Sequence, residues 1–343
     1  MRPTSSRASS FWREPEGALP NTLALSYAVG GHALGLWLLT RPHLAAFTCG
    51  ILLTAHSMVI AAYLVHECAH QTLFRSRRLN ARVGAALLWE TGAAYASFER
   101  VRRMHLRHHR DRADVACFDY QAALRRAPRP LRWLVYGFEW CHVPAVELLM
   151  HYEVLARPFL QPHLHGERRR VLWVLATRLA LFAGLYAASP WALPGYAVAY
   201  ALMLQALFVA DAFAHTYATH FVLRGDEPVA NDGRGREYDV AHSYSNLLST
   251  RFPWLNVLNL NFGYHTAHHQ RAAVPWYRLP RVHRDLFRDL EHPQVLPYRE
   301  LWRSLHRNRL RRILAQDYGY VGQGPGRADG FVGAHGVSFL TVV

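Results

Sequence analysis

The chain alternates between long apolar runs and strongly basic stretches. Two apolar runs, 23–39 and 44–65, are separated by the short link TRPH, and two more, 171–188 and 191–210, are joined by SPW. Each run is long enough to cross about 30 Å of hydrocarbon as an α-helix. Because the links are short, the pattern predicts two antiparallel hairpins and about four transmembrane helices in all.

Two further apolar segments carry charged residues. Glu90 lies within 83–97, and several charges interrupt 131–150. We interpret both as half-buried or interfacial helices that do not span the membrane. Arg178 interrupts the third predicted span, where its side chain either snorkels to the membrane surface or faces the protein interior.

The positive charges predict the orientation of the spans. The stretches at 75–78, 100–112 and 167–170 are rich in arginine and lie between the two hairpins, whereas the outer links carry only Arg41. By the positive-inside rule, both termini and the whole middle segment are cytoplasmic. We therefore expect a multi-pass protein of the bacterial inner membrane, with its functional groups on the cytoplasmic side.

Composition narrows the class further. The 343 residues carry a net charge of +15, which suits nucleic acid, an anionic membrane face or an acidic partner. The basic residues flank predicted spans, so we expect no nucleic acid partner. The four cysteines contain no CxxC pair, which argues against a zinc ribbon, a rubredoxin-like centre and a disulfide scaffold.

The predicted domain organisation follows from these segments. An N-terminal cytoplasmic tail (1–21) precedes a membrane domain (22–321), whose helical cap comprises 66–170 and 211–321. A glycine-rich tail (322–343) ends in GVSFLTVV. This C-terminal tail is either disordered or docks its apolar end on the body.

Histidines are concentrated in three clusters, HECAH, HLRHH and HTAHH. On a helix, residues at i, i+3 and i+4 share one face, so each cluster can aim its imidazoles at one point. Imidazole binds iron, zinc, copper and nickel, and eight nitrogens exceed the needs of one tetrahedral zinc. We therefore predict an all-α fold whose cap holds a dimetal site. Its ligands are His66, His70, His105, His108, His109, His265, His268 and His269.

The motif DAFAH adds a ninth predicted ligand. Asp211 and His215 are four residues apart at the inner end of the fourth span. We assign His215 to the metal site, and Asp211 to holding a metal-bound water or orienting an imidazole; the alternative is that Asp211 only caps the helix. His220 and His242 are weaker candidates.

In order and spacing, the three histidine boxes resemble those of the membrane fatty acid desaturase superfamily, in its acyl-lipid branch. The similarity runs from His66 to His269, and DAFAH resembles a family arrangement in which Asn or Asp precedes an extra ligand histidine by four residues. The resemblance implies four membrane helices under a cytoplasmic cap that holds two iron ions. Some members of this family have asparagine at the position of Asp211.

The resemblance also implies an activity and partners. It implies a membrane oxidoreductase that uses O2 and two electrons to introduce a double bond into a fatty acyl chain held in an apolar tunnel. The chemistry would occur at the metals, so no further catalytic residue is predicted. A separate ferredoxin-like protein would supply electrons, and the basic stretch 100–112 would attract an acidic donor. The same arginines are equally consistent with setting the membrane topology and binding lipid headgroups.

Three alternatives stay open from the sequence. A hydroxylase of the same superfamily would act on a lipid or hydrocarbon, although the boxes lack the longer spacings of the alkane-hydroxylase branch. HECAH is also HExxH, which would make Glu67 the general base of an intramembrane zinc protease and leave the other two boxes unused. A metal or haem carrier would bind metal without consuming O2.

Overall fold

Helices make up most of the described chain. The structure is a computed structural model that describes residues 11–116, 118–217, 220–222, 229, 233–288, 294–315, 317–335 and 340. Its helices are α1 (Ala18–Leu39), α2 (Leu44–His70), α3 (Arg77–Glu90), α4 (Phe98–Asp111), α5 (Tyr120–Arg126), α6 (Arg129–Trp140), α7 (Ala145–Leu160), α8 (Arg168–Ala188), α9 (Ala192–Ala212), α10 (Arg236–His242), α11 (His265–Gln270), α12 (Leu279–Phe287), α13 (Tyr298–Arg307) and α14 (Arg311–Leu314).

Four of these helices are long and apolar enough to cross a membrane: α1, α2, α8 and α9. They correspond to the four predicted spans, and the predicted all-α membrane fold is confirmed. Small residues let α1 and α2 pack closely, because a Cβ at Gly50 would lie 2.8 Å from the backbone nitrogen of Leu39. Helix α9 packs against the other side of α2.

Helix α2 is the centre of the molecule. From Thr54 to Ala69 nearly every side chain is buried, since the run is apolar on all sides. The helix continues beyond the predicted end of the span, to His70, and stops at Gln71, which adopts a left-handed conformation with φ of 60°. His66 and His70 therefore lie on its last turns, on the side that we call the cap side.

Arg178 on α8 faces the protein interior, the second of its two predicted orientations. Its guanidinium lies 4.4 Å from the ring centroid of Trp89, and Nη1 donates to the hydroxyl of Tyr196 at 3.0 Å. The side chain is buried. A cation over an aromatic face away from water is stabilised by the ring quadrupole, so Arg178 ties α8 to α3 and α9.

The prediction of one interfacial helix over 131–150 is wrong in its extent. The chain forms α6 and α7, which are separated by a turn in which His142 has a φ of 60° and Pro144 precedes α7. The outward face of α6 carries exposed Trp133 and Phe138. This amphipathic character agrees with an interfacial position.

Two further features hold the cap and the C-terminal tail in place. A parallel pair of short strands, β1 (Asp114–Ala116) and β2 (His220–Val222), links the two halves of the cap and was not predicted. The described part of the C-terminal tail docks on the body, where the amide of Ala334 donates to the carbonyl of Ala212 at 2.8 Å. His335 and Leu340 are buried there, as the docked alternative for this tail requires.

Candidate metal centre

Helix α4 brings the second histidine box to the cap side of α2. The helix starts at Ser97, whose hydroxyl accepts from the amide of Arg100 at 3.2 Å, and it ends at Arg112 with a φ of 47°. Between these caps, His105 and His109 are one turn apart and face α2. The sequence spacing therefore produces the predicted common face.

The third box and His215 approach from the opposite side. Leu260 and Asn261 both have positive φ, and this turn sends the chain directly into α11, whose first residue is His265. His215 lies just after α9 in an extended segment. Backbone hydrogen bonds on either side, from Tyr244 to Ala214 and from Thr216 to His242, hold this segment in place.

The nine histidines predicted as ligands converge in two groups. Within each group, one nitrogen from every member lies within 4.8 Å of the others. We call them the five-histidine group and the four-histidine group. The first contains His66, His70, His105, His109 and His268, and the second contains His108, His215, His265 and His269.

Nε2 atoms face one another inside each group. In the first group, the Nε2 of His105 lies 2.7 Å from that of His70 and 3.2 Å from that of His109. In the second, the two nitrogens of His215 and His265 that face each other are 2.8 Å apart. One ring nitrogen carries either a proton or a lone pair, so hydrogen bonding cannot satisfy the two contacts of His105 at once.

A metal ion held by these nitrogens would satisfy the contacts. Two nitrogens bound at 2.0–2.1 Å and at a right angle to each other would be about 2.9 Å apart, which is close to the observed separations. Nitrogen donors of this kind suit a borderline transition metal such as iron or zinc. The donor set therefore fits two metal ions, one in each histidine group.

A small cavity of about 40 Å³ lies beside the four-histidine group. Its lining includes His108, His265, Asp114 and Asp211. Since a site for one water needs about 10–15 Å³, this cavity has room for exogenous ligands of the metals. Asp211 thus lines the small cavity beside the four-histidine group, and its predicted role toward a metal-bound water stays a prediction.

Outer hydrogen bonds orient several imidazoles. The Nδ1 of His108 donates to the carbonyl of Ala113 at 3.0 Å and lies 3.3 Å from Asp114 Oδ1, and the Nδ1 of His269 lies 3.2 Å from Asp239 Oδ1. An acceptor at Nδ1 leaves the Nε2 lone pair for the metal, and a carboxylate in that place strengthens the ligand. Sequence reasoning missed both aspartates. Asp114 follows the second box closely enough to be found, but Asp239 precedes His269 by 30 residues and carries no local signal.

Glu67 has a similar place beside the first box. Its carboxylate lies 3.6 Å from the Nδ1 of His66 and accepts hydrogen bonds from the hydroxyl of Thr72 and the amide of Trp276. The carboxylate is therefore behind the imidazole, away from the Nε2 atoms that face the metal position. It ties the end of α2 to the segment after α11.

Burial keeps six of the site histidines neutral. Loss of solvation, followed by repulsion from neighbouring imidazoles, places the pKa of six of them well below the ordinary value, so that they carry free lone pairs at neutral pH. These six are His105, His109, His215, His265, His268 and His269.

The structure describes the side chain of one of the two weaker candidates. His242 belongs to neither group, because its Nδ1 donates to the carbonyl of Tyr238 at 2.8 Å and its ring stacks on that of Tyr238. His220 lies in β2, and its side chain is outside the part of the chain that the structure describes.

A larger cavity of about 440 Å³ reaches the four-histidine group from the membrane side. It follows α2 from His265 and Phe262, past Tyr63, to Tyr27 and His56. Much of its lining is apolar, and an engineered apolar cavity of about 150 Å³ holds benzene. A flexible hydrocarbon chain therefore fits this space.

Four apolar helices below two histidine groups define a membrane protein of the polyhistidine dimetal class. The fatty acid desaturase family model matches residues 42–302, and the chain belongs to this family. Membership places it among the desaturase- and hydroxylase-like oxidoreductases, which act on lipids in membranes. No curated protein matches the chain at a significant level.

Proposed function

We propose that this protein is a diiron fatty acid desaturase that introduces a double bond into a fatty acyl chain with O2 and two electrons from an external donor. The observation that carries this proposal is that inward-facing Nε2 atoms form two groups, and that a cavity wide enough for a hydrocarbon chain ends at His265 of the four-histidine group. When bound, iron would supply the activation of O2 and the removal of hydrogen from an unactivated C–H bond.

The protein's own residues hold and enclose the reacting chain. His265 belongs both to the four-histidine group and to the wall of the large cavity, so a chain in that cavity would lie beside a metal. Phe262 packs edge-on against His265 with a centroid distance of 5.2 Å, and Tyr63 packs against Phe262. These rings form an apolar wall that fixes the chain and excludes water.

The electron donor in this proposal is a separate ferredoxin-like protein. Within the basic stretch, Arg107 is buried against Asp111 and Arg102 donates to the carbonyl of Ala69 at 2.9 Å, so both support the fold. Arg103 and Arg110 are exposed on α4, where Arg110 also pairs with Asp111 at 2.7 Å, and their outward positive charge suits an acidic partner. The orientation follows from the arginines, with the cap and both termini in the cytoplasm and the spans in the bacterial inner membrane.

A zinc protease is the less favoured reading. A general base must reach the water on the open side of its metal. The Glu67 carboxylate instead lies on the Nδ1 side of His66 and is occupied by Thr72 and Trp276.

A hydroxylase is the closer rival, and product analysis separates the two. Membrane lipids of cells that express the native chain would be compared with those of cells that express His268→Ala or His242→Ala. In cells that express the native protein or His242→Ala, we expect acyl chains that are two mass units lighter. With His268→Ala we expect no such acyl chains. Acyl chains heavier by one oxygen atom would refute desaturation and support hydroxylation.

A further inference from the structure

A short segment that is not α-helical lies against α2. The 3₁₀ helix Pro253–Asn259 brings the carbonyl of Leu258 to His56, whose Nε2 donates to it at 3.0 Å. The hydroxyl of Tyr27 lies 2.6 Å from the Nδ1 of the same ring and forms a second hydrogen bond to it. This relay joins the segment to both helices of the first hairpin.

Helix geometry gives the depth of this contact. His56 precedes His66 on α2 by ten residues, which is about 15 Å along the helix axis. Counting about 30 Å of hydrocarbon from Leu44 puts His56 about 12 Å inside the cap-side edge of the hydrocarbon layer. The carbonyl of Leu258 must lie at nearly the same depth.

The outer face of the segment is apolar. Trp254 is 68% exposed, and Phe252, Val257 and Leu258 are each about half exposed. Such a concentrated apolar patch is unfavourable in water and favourable in hydrocarbon. The guanidinium of Arg251 lies over the ring of Phe252, at the start of the segment, where a cation can reach the membrane surface.

The backbone of the segment also meets the demands of hydrocarbon. Leu255 donates to Phe252 and Leu260 donates to Val257, while the side chain amide of Asn256 donates to Ser249 and Pro253. Together with the hydrogen bond from His56 to the carbonyl of Leu258, these bonds satisfy backbone polar groups that lipid could not hydrogen-bond. Non-helical backbone at membrane depth is tolerated where it is paired in this way and lines a cavity.

The segment forms one wall of the large cavity. Leu258 and Asn259 line the end of the cavity farther from the metal centre, together with Tyr27 and His56. His265 lines the other end. Tyr27 is partly exposed on the outer surface of α1, so the cavity reaches the lipid-facing side of the molecule. Both nitrogens of His56 are already bonded, and this end therefore favours methylene groups over a polar head group.

We propose that residues 251–259 are a re-entrant segment inserted in the cap-side leaflet, and that the large cavity opens laterally beside it. Through this opening, the acyl chain of a phospholipid in that leaflet reaches the metal centre without leaving the bilayer. The identity of the chain as substrate rests on the proposed function, whereas the insertion does not.

Site-directed spin labelling tests the insertion. A nitroxide at Trp254→Cys, with the four native cysteines replaced by alanine, would be measured in phospholipid vesicles for its relative accessibility to O2 and to a water-soluble nickel chelate. A label at Leu179→Cys, on the membrane-spanning helix α8, is the reference for hydrocarbon, and a label at Tyr320→Cys, outside the spans, is the reference for water. Both native side chains are exposed on the surface, at 64% and 72%. We expect Trp254→Cys to match Leu179→Cys. A label that behaves like Tyr320→Cys overturns the insertion.

Photolabelling of the native chain tests the lateral opening. Vesicles would contain phosphatidylglycerol with a diazirine in the middle of one acyl chain, and a parallel sample would receive the same diazirine chain as a soluble thioester. We expect adducts from the phospholipid on cavity residues such as Tyr63 and Leu248. Adducts from the phospholipid that are confined to outward positions such as Leu179, or cavity adducts from the thioester alone, overturn the opening.

The two measurements separate this inference from the proposed function. Neither measurement needs iron or turnover. If the segment is inserted and the cavity is labelled but the protein makes no double bond, the proposed desaturase activity is refuted and the lateral opening stands. If the protein desaturates lipids while its Trp254→Cys label reports water, the insertion is refuted and the desaturase activity stands.

Discussion

Replacing His335 with glutamine would remove a buried ion-pair cluster that holds the C-terminal tail. The Nε2 of His335 lies 3.1 Å from Glu139, and its Nδ1 lies 3.5 Å from Glu147. Burial alone would lower the pKa of His335, but the two carboxylates raise it to about 9. The ring also stacks on Phe208 of α9 at 4.4 Å.

The size of the effect follows from proton linkage. A histidine with an unfolded pKa of about 6.5 and a folded pKa raised to about 9 stabilises the protein below pH 6.5, and this stability is lost as the pH rises through 9. For His335→Gln we therefore expect a loss of about 3 kcal/mol at pH 6 and less than about 1 kcal/mol at pH 9. The neighbouring Arg312, with a pKa lowered by burial to about 10, keeps most of its charge over this range.

Thermal unfolding in detergent at the two pH values measures this difference. At pH 6 we expect the melting temperature of His335→Gln to fall by about 5 °C relative to the native chain, and at pH 9 by much less. His163→Gln is the matched control, because this histidine is exposed and should change neither value. Equal losses for His335→Gln at both pH values would refute the charged cluster and leave only packing.

Three other substitutions test separate parts of the structure. Asp239→Asn removes the carboxylate behind His269, and we expect metal affinity in the four-histidine group to fall about 10–100-fold, measured by metal content at limiting iron; unchanged content would contradict its orienting role. Gly50→Leu forces a side chain against Leu39, so the melting temperature should drop by several degrees, whereas Gly184→Leu, in open space on α8, should leave it unchanged. Removing the cation with Arg178→Ala should destabilise the spans by roughly 1–2 kcal/mol, and a neutral result would show that its contact with Trp89 contributes little.

The spans and the histidine faces were predictable because each depends on local periodicity. An apolar run of about twenty residues has few stable alternatives to a membrane helix, and i, i+3, i+4 spacing fixes a common face. The boxes also identified the fold, since their order matches one family. His215 was reachable from DAFAH because the motif places a histidine four residues after an acidic residue at the end of the fourth span. The structure places His215 beyond α9, in an extended segment, so the helical spacing that the motif suggests does not apply there.

Long-range contacts were beyond the sequence. Asp239 and His269 meet only after the chain from α10 to α11 has folded back. The side of α8 on which Arg178 lies depends on whether an aromatic partner such as Trp89 is available, and hydropathy cannot show this. The segment 251–259 is too short to register as a membrane element, so its depth becomes visible only through the hydrogen bond to His56.

The central claim is that the two histidine groups hold two irons, and counting the metals tests it most directly. Iron and zinc per chain would be measured on the detergent-purified protein, beside His268→Ala and His242→Ala. We predict about two irons per chain in the native protein and in His242→Ala, with a loss of iron in His268→Ala. One zinc and no iron in the native protein would contradict the diiron account and bring the HExxH reading forward.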